Sequence, residues 1–189
     1  MTIKTFTSGE ILTASDTNTY LANSGLVFIS ETTIGSAVAS ISVDNCFSST
    51  FDNYRVLVRI ADASTSSNVD FRYRVASVDN TALVYNWFYV GLTNASGSLN
   101  NASAGQSYAF TGTNVTTTGL AQPFQLDFHS PFLTEETRTY GFGYSRAGAG
   151  FRVGGTAHTS ANSFDGFTLI PSAGTYTGGT ITVYGYRSL

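Results

Sequence analysis

The chain has 189 residues, enough for one domain with a substantial core. Hydrophobic residues make up 42% and aromatics 14%, which excludes general disorder, yet only 11% are charged, against roughly 25% in ordinary soluble domains. The formal net charge of −3 argues against sequence-independent nucleic-acid binding, which needs clustered positive charge.

In chain order, residues 1–25 stand apart. Phe6 to Leu12 reads as extended chain, after which Ser15 and Asp16 offer an N-cap for a short helix over 17–23, closed by Gly25. Tyr20 and Leu21 would be its apolar contacts. A helix of two turns is not stable alone, so this arm is expected to dock on its own domain, on a neighbouring copy or on another protein. From Leu26 the pattern changes to period two. Residues 26–29 open a first strand, and 37–43 alternate cleanly. Over 54–60, Tyr54, Val56, Val58 and Ile60 share one face, and Arg55, Leu57 and Arg59 the other. Residues 71–75 repeat the alternation, and 62–68, rich in Ser, Thr and Ala, reads as the hairpin loop between these two strands. Further strands fit 83–92, 108–111, 124–130, 139–146, 151–156, 164–170 and 180–187, with long surface loops around the strand at 108–111. About ten strands separated by turn signals predict an all-β fold, an antiparallel β-sandwich of jelly-roll type, preceded by an extended arm with one short helix. The arm takes residues 1–25 and the sandwich 26–189.

Few residues offer chemistry. Asp127 and His129 lie two apart on one strand and share a face, as the orienting pair of a catalytic dyad would. Ser130 points to the opposite face, and no Gly-x-Ser-x-Gly nucleophile elbow is present. An exposed polar strand face is the simpler account. His158 has no second histidine at ligand spacing, and Asp62, Asp79 and Asp165 are isolated. Glu135-Glu136 sits in a turn, where adjacent carboxylates diverge rather than flank one bond. Cys46 is the only cysteine, so neither a disulfide nor a thiolate metal site is expected. No apolar run approaches the roughly 20 residues of a membrane-spanning helix, and no basic-then-apolar leader opens the chain. The expectation is a non-enzyme with no cofactor, no metal, no nucleic-acid partner and no membrane insertion.

Two sets of residues suit contacts with other molecules. Lys4 is the single lysine, and the other eight basic residues are arginines; interfaces favour arginine over lysine. Arg55, Arg59, Arg72 and Arg74 would share one face if their strands pair as a hairpin. That group suits ion pairs with acids such as Asp52 and Asp70, an interface between subunits, or a phosphate. In Tyr85-Asn86-Trp87-Phe88-Tyr89, alternation sets Tyr85, Trp87 and Tyr89 opposite Asn86 and Phe88. Those three rings belong in the core, in a subunit seam, or on a surface that stacks on sugar rings.

The opening Phe6-Thr7-Ser8-Gly9-Glu10-Ile11-Leu12-Thr13-Ala14-Ser15-Asp16-Thr17-Asn18-Thr19-Tyr20-Leu21 resembles that of many bacteriophage tail-fibre and minor virion structural proteins. There a Phe, a Gly, a Leu-Thr-Ala and an Asn precede the first globular domain. Phe164-Asp165-Gly166-Phe167-Thr168-Leu169-Ile170, continued by Thr177 to Tyr186, is similar to the closing hairpin of the β-sandwich modules in those proteins, which commonly end in a Tyr-Gly pair. Phe51-Asp52-Asn53-Tyr54-Arg55-Val56-Leu57-Val58 resembles their paired-strand section. The resemblance implies a structural protein of the virion, made in the host cytoplasm and commonly a homotrimer with other virion proteins as partners. Phe6, Ile11, Leu12, Tyr20 and Leu21 would be the apolar contacts of the anchoring arm, and the sandwich would be displayed at the particle surface. The leading expectation is a tail fibre or fibre-like appendage that attaches to the host, with a host surface glycan as a candidate partner. It predicts exposed aromatics around Trp87 or Tyr108, on the end away from residue 25. The alternative is a capsid decoration (cement) protein, which would bury one broad face and the arm on the head.

Overall fold

The computed structural model describes residues 5–17, 25–93, 97–117, 119–145 and 150–187. Tyr20, Leu21 and the greater part of the helix expected over 17–23 lie outside the described residues. What the arm shows is one helical turn, α1 (Ala14–Asp16), two to three residues earlier than the sequence suggested. Its N-cap is Thr13 rather than Ser15 or Asp16. The Thr13 hydroxyl accepts from the Asp16 amide at 3.1 Å, and the Asp16 carboxylate accepts from the Thr13 amide at 3.2 Å. This reciprocal capping box satisfies two backbone donors that a helix start leaves open.

The rest is an antiparallel β-sandwich. In chain order the strands are β1 (Leu26–Thr33), β2 (Ile41–Val43), β3 (Asn53–Ala63), β4 (Ser67–Val75), β5 (Val78–Asp79), β6 (Tyr85–Thr93) and β7 (Gly97–Gln106). They continue with β8 (Ala109–Val115), β9 (Gln122–His129), β10 (Glu135–Ser145), β11 (Gly150–Asn162), β12 (Gly166–Pro171) and β13 (Tyr176–Tyr186). The large sheet runs β1-β13-β3-β9-β10-β11-β6-β7. The small one runs β2-β12-β4-β5, with β8 also paired to β4.

Alternation explains how the two sheets close on each other. Tyr54, Val56, Val58 and Ile60 of β3 are buried, as are Phe124, Leu126 and Phe128 of β9 and Ile181 and Val183 of β13. They meet Val69, Phe71 and Tyr73 of β4 and Phe167 and Leu169 of β12. The centre is aromatic: Phe47 packs on Tyr54, Phe128 and Phe167, and Tyr73 stacks on Phe164 at 4.6 Å. Buried phenols need partners, because an unpaired hydroxyl in an apolar interior is costly. The Tyr73 hydroxyl lies 2.5 Å from that of Thr139, and the Tyr85 hydroxyl donates to the Asn80 carbonyl at 2.9 Å.

Three local expectations are corrected. Residues 62–68 do not close a hairpin: β3 pairs with β13 and β9, and β4 with β12, β5 and β8, so the chain crosses between sheets there. The region around 108–111 holds two strands, β7 and β8, rather than one strand among long loops. Over 37–43 only Ile41–Val43 is a strand; Ala37 adopts a positive φ of 54°, and Val38 makes a lone bridge to Tyr176.

Strand β8 lies across the inner surface of β10, β11 and β6. Room for it comes from glycine at the inward positions beneath. A Cβ on Gly141 or Gly154 would stand 3.2 Å from the Thr111 carbonyl oxygen, and one on Gly143 would stand 3.1 Å from the Thr113 hydroxyl. Glycine inside a strand often marks such a close approach of another backbone.

Candidate functional site

The inward glycines have an outward counterpart. Residues alternating with Thr139, Gly141 and Gly143 on β10 are Arg138, Tyr140, Phe142 and Tyr144, all facing away from the core. Antiparallel register sets Phe142 opposite Val153 and Tyr144 opposite Phe151 on β11. Phe151 and Val153 in turn stand opposite Leu92 and Val90 on β6, and Phe88 opposite Gly155. On the other flank Phe142 faces Gln125, which faces Leu57 of β3. Nine large side chains, each between 42% and 67% exposed, thus form one contiguous patch across five strands. The outer face of a two-layer sandwich is ordinarily polar; this one is not.

The patch is relieved by grooves. One of about 470 Å³ runs between Leu57, Arg59, Phe142, Tyr144, Phe151 and Thr182. A second, about 600 Å³, lies between Phe88, Ala102, Arg138 and Tyr140. A third, about 460 Å³ and more polar, is lined by His129, Glu135, Glu136, Arg138 and Tyr140.

The charges of Arg55 and Arg138 are satisfied within this face, while Arg59 makes no ion pair among the described residues. Arg55 grips Asp127 with two hydrogen bonds of 2.8 Å, and the Tyr186 hydroxyl donates to the same carboxylate at 3.0 Å. Partial burial works to raise the Asp127 carboxyl, but the hydrogen bonds from Arg55 and Tyr186 outweigh it and hold the group below the usual carboxylate range. Arg138 pairs with Glu136 at 2.8 Å. His129 is not wired to Asp127: its Nδ1 lies 3.1 Å from Asn53 Oδ1, and its ring meets Tyr140 edge-on. With Asp127 held by Arg55, the arrangement lacks the base-to-carboxylate bond that a dyad needs. Among the described residues no group of three His, Cys, Asp or Glu is placed to hold a metal ion.

The four arginines do not form one group. Arg55 and Arg59 lie on the outer face of the large sheet, whereas Arg72 and Arg74 belong to β4 in the small sheet. Their acids are Asp127, Asp44 and Asp79, in place of Asp52 and Asp70. Arg74 binds Asp44 at 2.7 Å and also Asp79 and the Thr168 hydroxyl; Arg72 donates to the Ser107 carbonyl at 2.9 Å. That outer face is a closed polar network, in contrast to the large sheet's.

The aromatic run splits as alternation requires, with Tyr85, Trp87 and Tyr89 on the inner side. Tyr85 is fully buried, stacked on Tyr73 and packed edge-on against His158. Trp87 and Tyr89 are half-buried, each edge-on to Phe110. Phe88, on the opposite side, is the ring that reaches the surface. The exposed aromatics of this patch are therefore Phe88, Tyr140, Phe142, Tyr144 and Phe151, of which only Phe88 lies in the run that sequence reasoning singled out; Phe6 and Phe28 are exposed elsewhere. The missed signal was Tyr140-Gly141-Phe142-Gly143-Tyr144 itself: aromatics alternating with glycine put bulk on one side of a strand and nothing on the other.

In the arm, Phe6, Ile11 and Leu12 are 39%, 82% and 50% exposed.

The sequence matches no family model and no curated protein. Among solved structures it is similar to galectin LEC-6 of Caenorhabditis elegans, at 14% identity and a TM-score of 0.35, over 85% of this chain and 99% of that one.

Proposed function

We propose that this chain is a non-enzymatic structural component of a bacteriophage particle, anchored through its N-terminal arm and contributing the β-sandwich as its displayed body. The observation that carries the reading is the outer face of the large sheet. A monomer rarely leaves a contiguous apolar patch above about 300–600 Å² open to water. Five half-exposed aromatics, each presenting roughly 150–250 Å² when free, supply on the order of 500 Å² here before the aliphatic residues are counted. The arm adds exposed apolar side chains of its own. Both features suit a chain that works when covered by other protein, and they agree with the phage resemblance of residues 6–21 and 164–186. The side chains a catalytic reading would use, Asp127, His129 and Glu136, are held by Arg55, Asn53 and Arg138.

Within this reading a tail fibre or fibre-like appendage remains the lead, with multivalent host attachment as its mechanism. One observation favours the second location, capsid decoration. The apolar surface is a broad sheet face, the kind of surface a decoration protein lays on a shell. The tip reading expects exposed rings around Trp87 or Tyr108; both of these are half-buried, and Phe88, beside Trp87, is exposed on the sheet face. Detection of the protein by antibody in purified particles separated into heads and tails tests the proposal. Signal in the tail fraction supports the appendage, signal on tail-free heads supports decoration, and absence from particles overturns both.

A further inference from the structure

The outer face of the large sheet and the N-terminal arm are two uncovered apolar surfaces in one chain. We propose that they cover each other between copies: the arm of one protomer, through Ile11 and Leu12, lies in the groove of about 470 Å³ between Leu57, Phe142 and Phe151 of the next. This deepens the structural reading above and rests on it.

Area and charge point the same way. Nine large side chains about half exposed approach the roughly 800 Å² that each partner contributes to a standard interface. The face carries no lysine. Of its arginines, Arg55 is neutralised by Asp127 and Arg138 by Glu136, while Arg59, which lines the groove, makes no ion pair among the described residues. With Arg55 and Arg138 compensated, little like-charge repulsion opposes an approaching segment, and depletion of charge at the core of a patch is what distinguishes an interface from ordinary surface. The arm suits the groove for the same reason. Between Thr5 and Ser15 its one charged residue is Glu10, whose carboxylate is turned back onto the Thr7 amide at 3.1 Å. Ile11 and Leu12 follow directly, with no charge between them and α1.

The occupant is the arm rather than a second copy of the face. An arm has to be held by something, because the single turn of α1 buries no residue, and a turn that short has no stability of its own. A contact in which one copy gives an arm and the next gives a groove is heterologous, and it closes into a ring when the rotation allows.

The test uses the full chain. Ile11→Cys protein carrying a tag is mixed with untagged Leu57→Cys protein and oxidised; the native Cys46 is buried and free. A disulfide joining tagged to untagged chain is expected, at least tenfold above the yield from a control pair with Ser172→Cys, in the turn between β12 and β13, in place of Leu57→Cys. Sedimentation equilibrium of the wild type should give a multiple of the chain mass, falling to one chain for Ile11→Asp/Leu12→Asp and for Phe142→Asp. The arm variant leaves the core untouched, and circular dichroism confirms the fold of both. A wild-type monomer at tens of micromolar overturns the proposal. So does an oligomer that survives the arm variant, or a tagged-to-untagged disulfide no more abundant than in the control pair. Particle fractionation is read separately. A monomeric protein found on particles sinks this inference alone, and an arm-clasped ring absent from particles sinks the virion reading alone.

Discussion

At the scale of single residues, the interior holds groups whose ionisation the fold resists. Asp70 is buried, its Oδ1 has no hydrogen-bond partner among the described residues, and burial pushes its carboxyl up to about 7, against the pull of Arg72. The folded chain then keeps a proton that the unfolded chain releases near pH 4. Between about pH 4 and 7 the folded state binds more protons, so stability falls as pH rises, and the loss is complete above pH 7. Asp70→Asn should flatten this slope and stabilise the protein at pH 8. Urea unfolding at pH 5 and pH 8 checks it, and a variant no more stable than wild type at pH 8 would refute the assignment. His158 acts in the opposite direction. Enclosed by Tyr73, Tyr85 and Phe164, it is held neutral by burial, so protonation of the unfolded chain below about pH 6.5 removes stability on the acid side. Burial also pushes the Cys46 thiol far up, and its Sγ lies 3.6 Å from the Val43 carbonyl. A thiolate-specific disulfide reagent should leave it unmodified in the native protein and titrate one thiol once denaturant is added; rapid native reaction would contradict the burial.

At the scale of elements, the pairing of β13 with β3 depends on a glycine. Register runs unbroken from Thr177 opposite Asp62 to Gly179 opposite Ile60, and Gly179 holds φ at +118°. A Cβ there would stand 1.9 Å from the Arg59 carbonyl oxygen, and the backbone conformation is one that L side chains rarely adopt. Gly179→Ala should therefore cost at least about 2 kcal/mol, by strain and by displacement of β3. For a chain of this length that corresponds to a fall in Tm of roughly 4–8 °C. Gly119→Ala, at a positive φ but with open space around it, should cost clearly less. Calorimetry of the pair separates the clash from the backbone strain, and equal losses would show that contact with β3 contributes nothing.

At the scale of the whole molecule, the two sheets present opposite surfaces. The small sheet closes its outer face with Arg74, Asp44, Asp79 and Thr168, while the large sheet leaves aromatic side chains in water. Association through the large face should be driven by apolar burial. It should therefore hold or strengthen as salt is raised from about 0.05 to 0.5 M, since added salt screens ion pairs without weakening apolar contacts. Sedimentation across that range measures it, and dissociation at high salt would assign the contact to charges instead.

What the sequence determined by itself was the local backbone and the sidedness of each strand. Period-two alternation placed Tyr54, Val56, Val58 and Ile60 together, all of them buried, and it separated Phe88 from Tyr85, Trp87 and Tyr89. The sandwich class followed from the number of such strands and the turns between them. Which side of a strand is covered was not legible where both sides carry aromatics, because alternation gives two faces and no direction. Which strands pair was not legible either. Residues 62–68 look like a hairpin loop, and they cross between sheets because β13 and β9 take both edges of β3 from more than sixty positions away. The outer face is decided in the same way. Leu57, Phe142, Phe151 and Val90 come from four segments far apart in the chain, and only antiparallel register across β3, β9, β10, β11 and β6 brings them into one surface.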